Sequence, residues 1–131
     1  MRQKVLILGA KGMLGQELMR VFEVDGKYEV IGWDMEDVDM TDFTLAERRI
    51  LECAPDIVLN AIAYNAVDAC EEDDDEYKKA VKLNVDVPGF LAGLTKKTDT
   101  LFVHYSTDYV FGQNDAEHVA GYSEDDIPEP Q

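Results

Sequence analysis

The chain predicts a doubly wound, parallel α/β sheet, and three observations carry that expectation. Short apolar runs of strand length alternate with stretches whose apolar residues recur every three or four positions. Glycines crowd the junction between the first run and the first helical stretch. The 131 residues suffice for one domain with a core and are too few for two ordinary ones. Alternation of this kind calls for right-handed crossovers and helices packed on a parallel sheet.

The elements follow in order. "KVLILGA" (Lys4 to Ala10) is a continuous apolar run suited to a strand buried on both faces. Leu14, Leu18 and Phe22, flanked by Met13 and Val21, then repeat every four residues and predict a short helix. "YEVIGWD" (Tyr28 to Asp34) is the second strand, closed by an acid. Leu45, Arg49 and Cys53, with Ala46 and Ile50 beside them, predict a second helix that stops at Pro55. "DIVLNAIA" (Asp56 to Ala63) is the third strand and "TLFVHYS" (Thr100 to Ser106) the fourth. Between them Ala80, Leu83, Val87, Leu91 and Leu94 mark a longer helix, in which Pro88 predicts a kink or break. The preceding run "EEDDDE" (Glu71 to Glu76) reads as a solvated helix start favoured by the helix dipole; a cation or basic-partner site is the alternative. Residues 1–112 form the domain, and 113–131 read as acidic loop punctuated by glycine and proline.

Charge narrows the function. Twelve Lys and Arg face 28 Asp and Glu, a formal charge of −16, which repels a nucleic-acid backbone and an anionic membrane surface. Any bound nucleotide must therefore be gripped by local backbone donors. Cys53 and Cys70 show no metal or dithiol spacing, no metal site is expected, and they read as reduced thiols. The N-terminal apolar run is too short for a signal peptide and no stretch has the length of a spanning helix, so a cytoplasmic location is expected.

"GAKGMLG" supplies the first site. Gly9, Gly12 and Gly15 stand between a strand and a helix, the context in which a glycine pattern signals dinucleotide binding. Gly9 permits the sharp turn, Gly12 lets the backbone approach a pyrophosphate, and Gly15 lets the helix pack closely on the strand. Amides at the helix start would hold the anion. A glycine-punctuated turn without ligand is the alternative. Asp34 ends the second strand nineteen positions after Gly15, near the ~20-residue spacing of an acid that binds the adenosine ribose. A carboxylate there repels a 2′-phosphate and favours NAD(H) over NADP(H), and Glu36, Asp37 and Asp39 add to that field; an exposed strand-end acid is the alternative. Ala61 and Ala63 leave room for a flat ligand in the crevice, or are ordinary small-residue packing.

"HYSTDYVFG" (His104 to Gly112) is the second site. A hydroxyl of Ser106 or Thr107 at the sheet's carboxyl edge would hydrogen-bond a substrate carbonyl, with Asp108 and Tyr109 orienting sugar hydroxyls. Equally, Ser106 and Asp108 turn the chain while Tyr109 and Phe111 serve as core.

Taken together, "ILGAKGMLGQEL", "DMTD", "PDIVLNAIAYNAVDACE", "LNVDVPGFLA", "VHYSTDYVFG" and "YSEDDIPEP" resemble the dTDP-4-dehydrorhamnose reductase family of the extended short-chain dehydrogenases, from about Lys4 to Pro130. The resemblance implies a Rossmann-type fold and hydride transfer from NADH or NADPH to the 4-keto group of a dTDP-6-deoxyhexulose. It places Gly9, Lys11, Gly12, Met13, Leu14 and Gly15 on the pyrophosphate, Asp34 on the ribose, and Asp39 and Met40 near the adenine. Ala61, Ile62, Ala63, Tyr64 and Tyr105 would line the cofactor groove, with Asn84 close by. Thr107 matches the catalytic hydroxyl, and Val67, Asp108, Tyr109 and Phe111 match or border sugar-contacting positions.

The family also reads on into a Tyr-x-x-x-Lys motif, in which tyrosine donates the proton and lysine lowers its pKa. None of Tyr28, Tyr64, Tyr77, Tyr105, Tyr109 and Tyr122 has lysine four positions later. By family spacing the motif is expected a few residues past Gln131, so this chain is expected to be the cofactor-binding part and inactive alone. The resemblance extends to two other roles: a non-catalytic regulatory subunit like that of methionine adenosyltransferase, and a sugar-nucleotide epimerase. The expected strand order is 3-2-1-4, leaving Thr100 to Ser106 as an apolar edge that invites self-association.

Overall fold

The computed structural model describes residues 1–112 and 121–130. Four parallel strands carry the chain: β1 (Gln3–Leu8), β2 (Tyr28–Trp33), β3 (Ile57–Asn60) and β4 (Leu101–His104). The helices are α1 (Met13–Asp25), α2 (Phe43–Cys53), α3 (Val67–Glu72), α4 (Asp74–Val81) and α5 (Val87–Thr98). A π-turn (Lys82–Asp86) joins α4 to α5, and a 3₁₀ turn (Asp108–Val110) follows β4.

Each strand is shorter than its apolar run because the carboxyl ends peel away from the sheet as loops. β1 alternates its burial: Val5 and Ile7, with Leu59, face α1 residues Leu18, Met19 and Phe22, while Leu6 and Leu8, with Val58, face α2 and α5. On that second face Ala46 and Ile50 of α2 share one buried cluster with Val87, Leu91 and Leu94 of α5, and Phe43 of α2 stacks on Phe90 of α5. Each such fully buried aliphatic side chain contributes roughly 1.5–3 kcal/mol relative to exposure.

The sheet order is β2-β1-β3-β4, not 3-2-1-4. The expected order would have placed β3 outside β2, with α2 on the same face as α1. Instead the chain reverses direction after β2, and α2 crosses β1 on the opposite face. Burial explains the choice. β3 is apolar up to Asn60 and takes the central place beside β1, whereas β2 carries exposed Glu29 and stays at the edge. β4 forms the other edge, as expected, with Leu101 exposed.

The helix ends follow the local chemistry. Gly26 closes α1 in a left-handed conformation. The Asp42 side chain accepts from the Leu45 amide to open α2. Asp73 does the same for α4, accepting from the Asp75 and Glu76 amides, with acids in the first turn and Lys78 and Lys79 in the last. The acidic run is thus a helix start, though Glu71 and Glu72 belong to α3, a short helix that also holds Cys70.

The break at Pro88 takes the form of the π-turn. Pro88 has no amide to offer the Asn84 carbonyl, and the chain widens instead, so that the Val87 amide donates to the carbonyl of Lys82, five residues back. Of the expected acidic loop 113–131, residues 121–130 hold only a turn, in which the Ser123 amide donates to Asp126 at 2.6 Å. Residues 113–120 and 131 lie outside the described residues.

Candidate functional site

Because all four strands are parallel, the loops that leave their carboxyl ends gather at one edge of the sheet. The direction reversal parts the connections leaving β1 and β3, and a crevice forms there.

The glycine turn makes the centre of this edge. Gly9 has φ +77°, a conformation that disfavours side chains, and a methyl group on it would stand 3.0 Å from the Ala61 carbonyl oxygen. The Gly9 and Ala10 amides both donate to the Trp33 carbonyl, at 2.9 and 3.1 Å, which hooks the turn onto the end of β2. Gly15 lies so close to the turn that a methyl group there would be 2.0 Å from the Gly9 oxygen. Gly12 then caps the start of α1 at Met13 and supplies no side chain to do so. Its first intrahelical bond runs from the Gln16 amide to the Gly12 carbonyl at 2.9 Å. The earlier amides of the turn, those of Met13, Leu14 and Gly15, have no intrahelical acceptor and carry the positive end of the helix dipole.

Two clefts meet at this point. The first, about 710 Å³, runs from Gly9 and Gly12 past Trp33, Asp34 and Met40 to Ile62, Tyr64 and Leu83. The second, about 540 Å³, extends from Gly12, Met13 and Leu14 to Asn84, Tyr105 and Thr107. Gly12, Ala61, Ile62 and Ala63 line both. The residues expected at the dinucleotide, Gly15 and Lys11 excepted, therefore line one or other of the two clefts.

The acid at the end of β2 is held by main chain. Asp34 accepts from the Lys11 amide and from its own neighbour Met35, both at 2.9 Å, so one carboxylate ties the glycine turn to β2. The Lys11 ammonium pairs with Glu36 in solvent at the same corner. Asp39 accepts from the Thr41 amide and hydroxyl, at 2.9 and 2.7 Å, which turns the chain and leaves Val38 and Met40 buried.

The third strand's loop is pinned along its length. Asn60, fully buried, accepts from the Ile62 amide at 3.2 Å and lies 3.1 Å from the His104 ring nitrogen on β4. Asn84, in the π-turn, accepts from the Tyr64 amide at 2.8 Å and donates to the Tyr64 carbonyl at 2.9 Å. At the fourth strand Thr107 accepts from the Tyr109 amide at 3.2 Å, and its hydroxyl points to Asp108 over a long 3.4 Å contact. Thr107 lines the second cleft.

The expected sugar-contacting positions are less gathered. Val67, Asp108, Tyr109 and Phe111 line neither cleft; Val67 and Tyr109 are exposed, and Phe111 stacks on Tyr122 with ring centroids 4.8 Å apart. Sequence reasoning missed Trp33, Lys79, Lys82 and Leu83 in the first cleft and Asn60 behind it. A polar residue closing an apolar strand was the available signal for Asn60; the two lysines gave none, since charged residues between the apolar positions of a helical pattern read as solvated surface. Among the described residues no cluster of three or more His, Cys, Asp or Glu side chains is arranged to hold a metal, and no helix is long and apolar enough to cross a membrane.

Comparison with known proteins agrees with this fold. The family model described as RmlD substrate binding domain matches residues 3–131. The chain is 44% identical over 108 residues to the dTDP-4-dehydrorhamnose reductase of Burkholderia thailandensis, covering 82% of this chain and 35% of that one. It is 34% identical over 127 residues to the enzyme of the same name from Aggregatibacter actinomycetemcomitans, covering 97% and 41%. The crystal structure of dTDP-4-dehydrorhamnose reductase from Bacillus anthracis in complex with NADP superposes with a TM-score of 0.85 at 28% identity, covering 99% of this chain and 44% of that one. The orthologue from Clostridium acetobutylicum gives 0.85 at 38% identity, covering 98% and 44%. The chain thus spans less than half the length of each of these relatives.

Proposed function

The chain belongs to the RmlD substrate binding domain family, and from that premise we propose that it forms the dinucleotide-binding half of an NAD(P)H-dependent reductase acting on the 4-keto group of a dTDP-6-deoxyhexulose. One observation carries the reading. The uncapped start of α1 at Gly12 lies where the two clefts join, so a diphosphate seated on those amides extends one nucleotide into each. The fit rests on a cradle that a side chain would fill: Gly12 lines both clefts, and a methyl group there would already crowd the Gly9 oxygen at 3.3 Å.

The bound cofactor would supply the hydride. The chain's own residues bind and orient. The first-turn amides from Met13 to Gly15, with Gly9 and Lys11 shaping the turn, hold the diphosphate against a surface of net charge −16. Asp34 accepts the ribose hydroxyls, Asp39 and Met40 border the adenine, and Ala61 to Tyr64 with Tyr105 wall the groove. The negative charge of Asp34 favours NAD(H) over NADP(H). Thr107 donates a hydrogen bond to the keto oxygen of the substrate and polarises it, a contact open to it because its present bond to Asp108 is long. Val67, Asp108, Tyr109 and Phe111 border the sugar.

No tyrosine of this chain stands four residues before a lysine. The proton donor of the family pattern is therefore absent from these 131 residues, and reduction by the chain alone is slower by the ~10²–10⁴-fold that general acid catalysis supplies. We place the protein in the cytoplasm, with β4 as a self-association edge.

The sole tryptophan, Trp33, lines the first cleft and reports on it directly. Titration with NADH and NADPH should quench its fluorescence, with NADH the tighter ligand. A flat titration with both dinucleotides into the millimolar range refutes the cofactor reading; quenching by both with NADPH tighter refutes only the role given to Asp34.

A further inference from the structure

The loop shared by the two clefts is fastened from α4 as well as from the sheet. Asn84 clamps the Tyr64 main chain. At the other end of the residue, the Tyr64 phenol donates to the Glu76 carboxylate. The other oxygen of Glu76 pairs with Lys79. The acidic run Glu71–Glu76 is thereby divided in its tasks. Asp73 caps α4, and Asp75 pairs with Lys78 at the surface with its side chain 82% exposed. Glu76, with its side chain only 24% exposed, turns inward to the loop.

We propose that Glu76 is a positioning residue for the dinucleotide cleft: its carboxylate holds the phenol so that the Tyr64 ring stands as a fixed wall beside Ile62 and Leu83. This rests on the cofactor reading above. A hydrogen bond from a hydroxyl to a carboxylate is stronger than one between neutral groups. A ring fixed before the ligand arrives removes an ordering cost that binding would otherwise carry. Without the bond, Tyr64 keeps its backbone clamp but its ring gains rotamer freedom at the cleft wall.

The test titrates NADH and NADPH into the parent chain and four variants, following Trp33 fluorescence. Glu76→Ala and Tyr64→Phe should each weaken binding by about three- to tenfold, the scale of one such hydrogen bond. The double variant should bind no more weakly than the worse single one, since both delete the same contact. Glu76→Gln keeps an acceptor for the phenol, though a neutral one, and should recover part of the affinity lost in Glu76→Ala, which a purely electrostatic effect of the charge would not allow. Tyr64→Phe leaves α4 untouched, so unfolding of that helix in Glu76→Ala does not obscure the answer. Parent-like affinity in Glu76→Ala, additive losses in the double variant, or failure of Glu76→Gln to recover binding each overturn the proposal. Absence of binding of both dinucleotides by the parent overturns the cofactor reading and this one with it.

Discussion

Replacing Gly15 by alanine isolates the packing on which the anion cradle depends. The added methyl group would sit 2.0 Å from the Gly9 carbonyl oxygen and 2.8 Å from the Cα of Ala10. Both are main-chain atoms of the turn itself, so no side chain swings aside to relieve the clash. The start of α1 must retreat by about 1 Å merely to bring the first contact to 3.0 Å. The retreat strains the turn, which is anchored on the Trp33 carbonyl, and loosens Leu18, Met19 and Phe22 from Val5 and Ile7. Overpacking of this kind costs about 1–3 kcal/mol, and the rigidity of the obstacle puts Gly15→Ala at the upper end. For a domain of this size ~3 kcal/mol lowers the melting temperature by about 10 °C. Gly12→Ala makes the contrast. Its φ of −69° suits any residue and its methyl group meets the Gly9 oxygen at 3.3 Å, so the fold should be nearly unchanged while dinucleotide binding falls at least tenfold. Thermal melts by circular dichroism, with Trp33 titrations at 20 °C, read both effects. A Gly15→Ala protein that melts with the parent, or a Gly12→Ala protein that binds like it, would refute the reasoning.

Three further outcomes are expected. Glu36→Gln frees the Lys11 ammonium at the ribose corner and removes a negative charge, so NADPH should bind about two- to fivefold tighter with NADH unchanged, in line with the modest strength of an exposed ion pair; equal changes for both cofactors would count against it. Asn60→Leu leaves the Ile62 amide without its acceptor and breaks the link to His104, which should cost about 1–3 kcal/mol in urea denaturation. Burial pushes the Cys53 thiol above its ordinary pKa, so less thiolate exists at pH 8 and its alkylation by iodoacetamide should lag behind that of a free cysteine. The same shift means that the unfolded chain loses this proton first as pH rises, so the contribution to stability is full below the ordinary thiol pKa and declines above it.

Much of this fold was legible because its signals are local. The apolar runs of β1 and β3, the four-residue repeat Leu14, Leu18 and Phe22, and the spacing of Gly9, Gly12 and Gly15 each reflect contacts made within a short stretch or demanded by one conformation. Strand order is different, because it depends on which face α2 chooses, and Ala46 and Ile50 reveal that only through partners far along the chain. The polar Glu29 in β2 against the unbroken apolar run of β3 was the one available hint. α3 spans less than two turns and shows no period, so its six residues read as loop. Pro88 announced a break without showing that it would be a widened turn. At the site, Gly12 and Asp34 were readable from spacing, whereas the inward role of Glu76 was hidden inside a run of six acids that look alike in sequence.

The π-turn between α4 and α5 also sets a phase. An i→i+5 step accommodates one residue more than a regular α-helical turn. Deleting one residue other than Asn84 from Lys82–Asp86 would rotate one end of the rod against the other by about 100°. Asn84 would then swing off Tyr64, or Val87, Leu91 and Leu94 would leave the seam against β1 and β3. The surplus residue is thus a spacer that lets one continuous rod satisfy two misaligned neighbours, and length there is more constrained than identity.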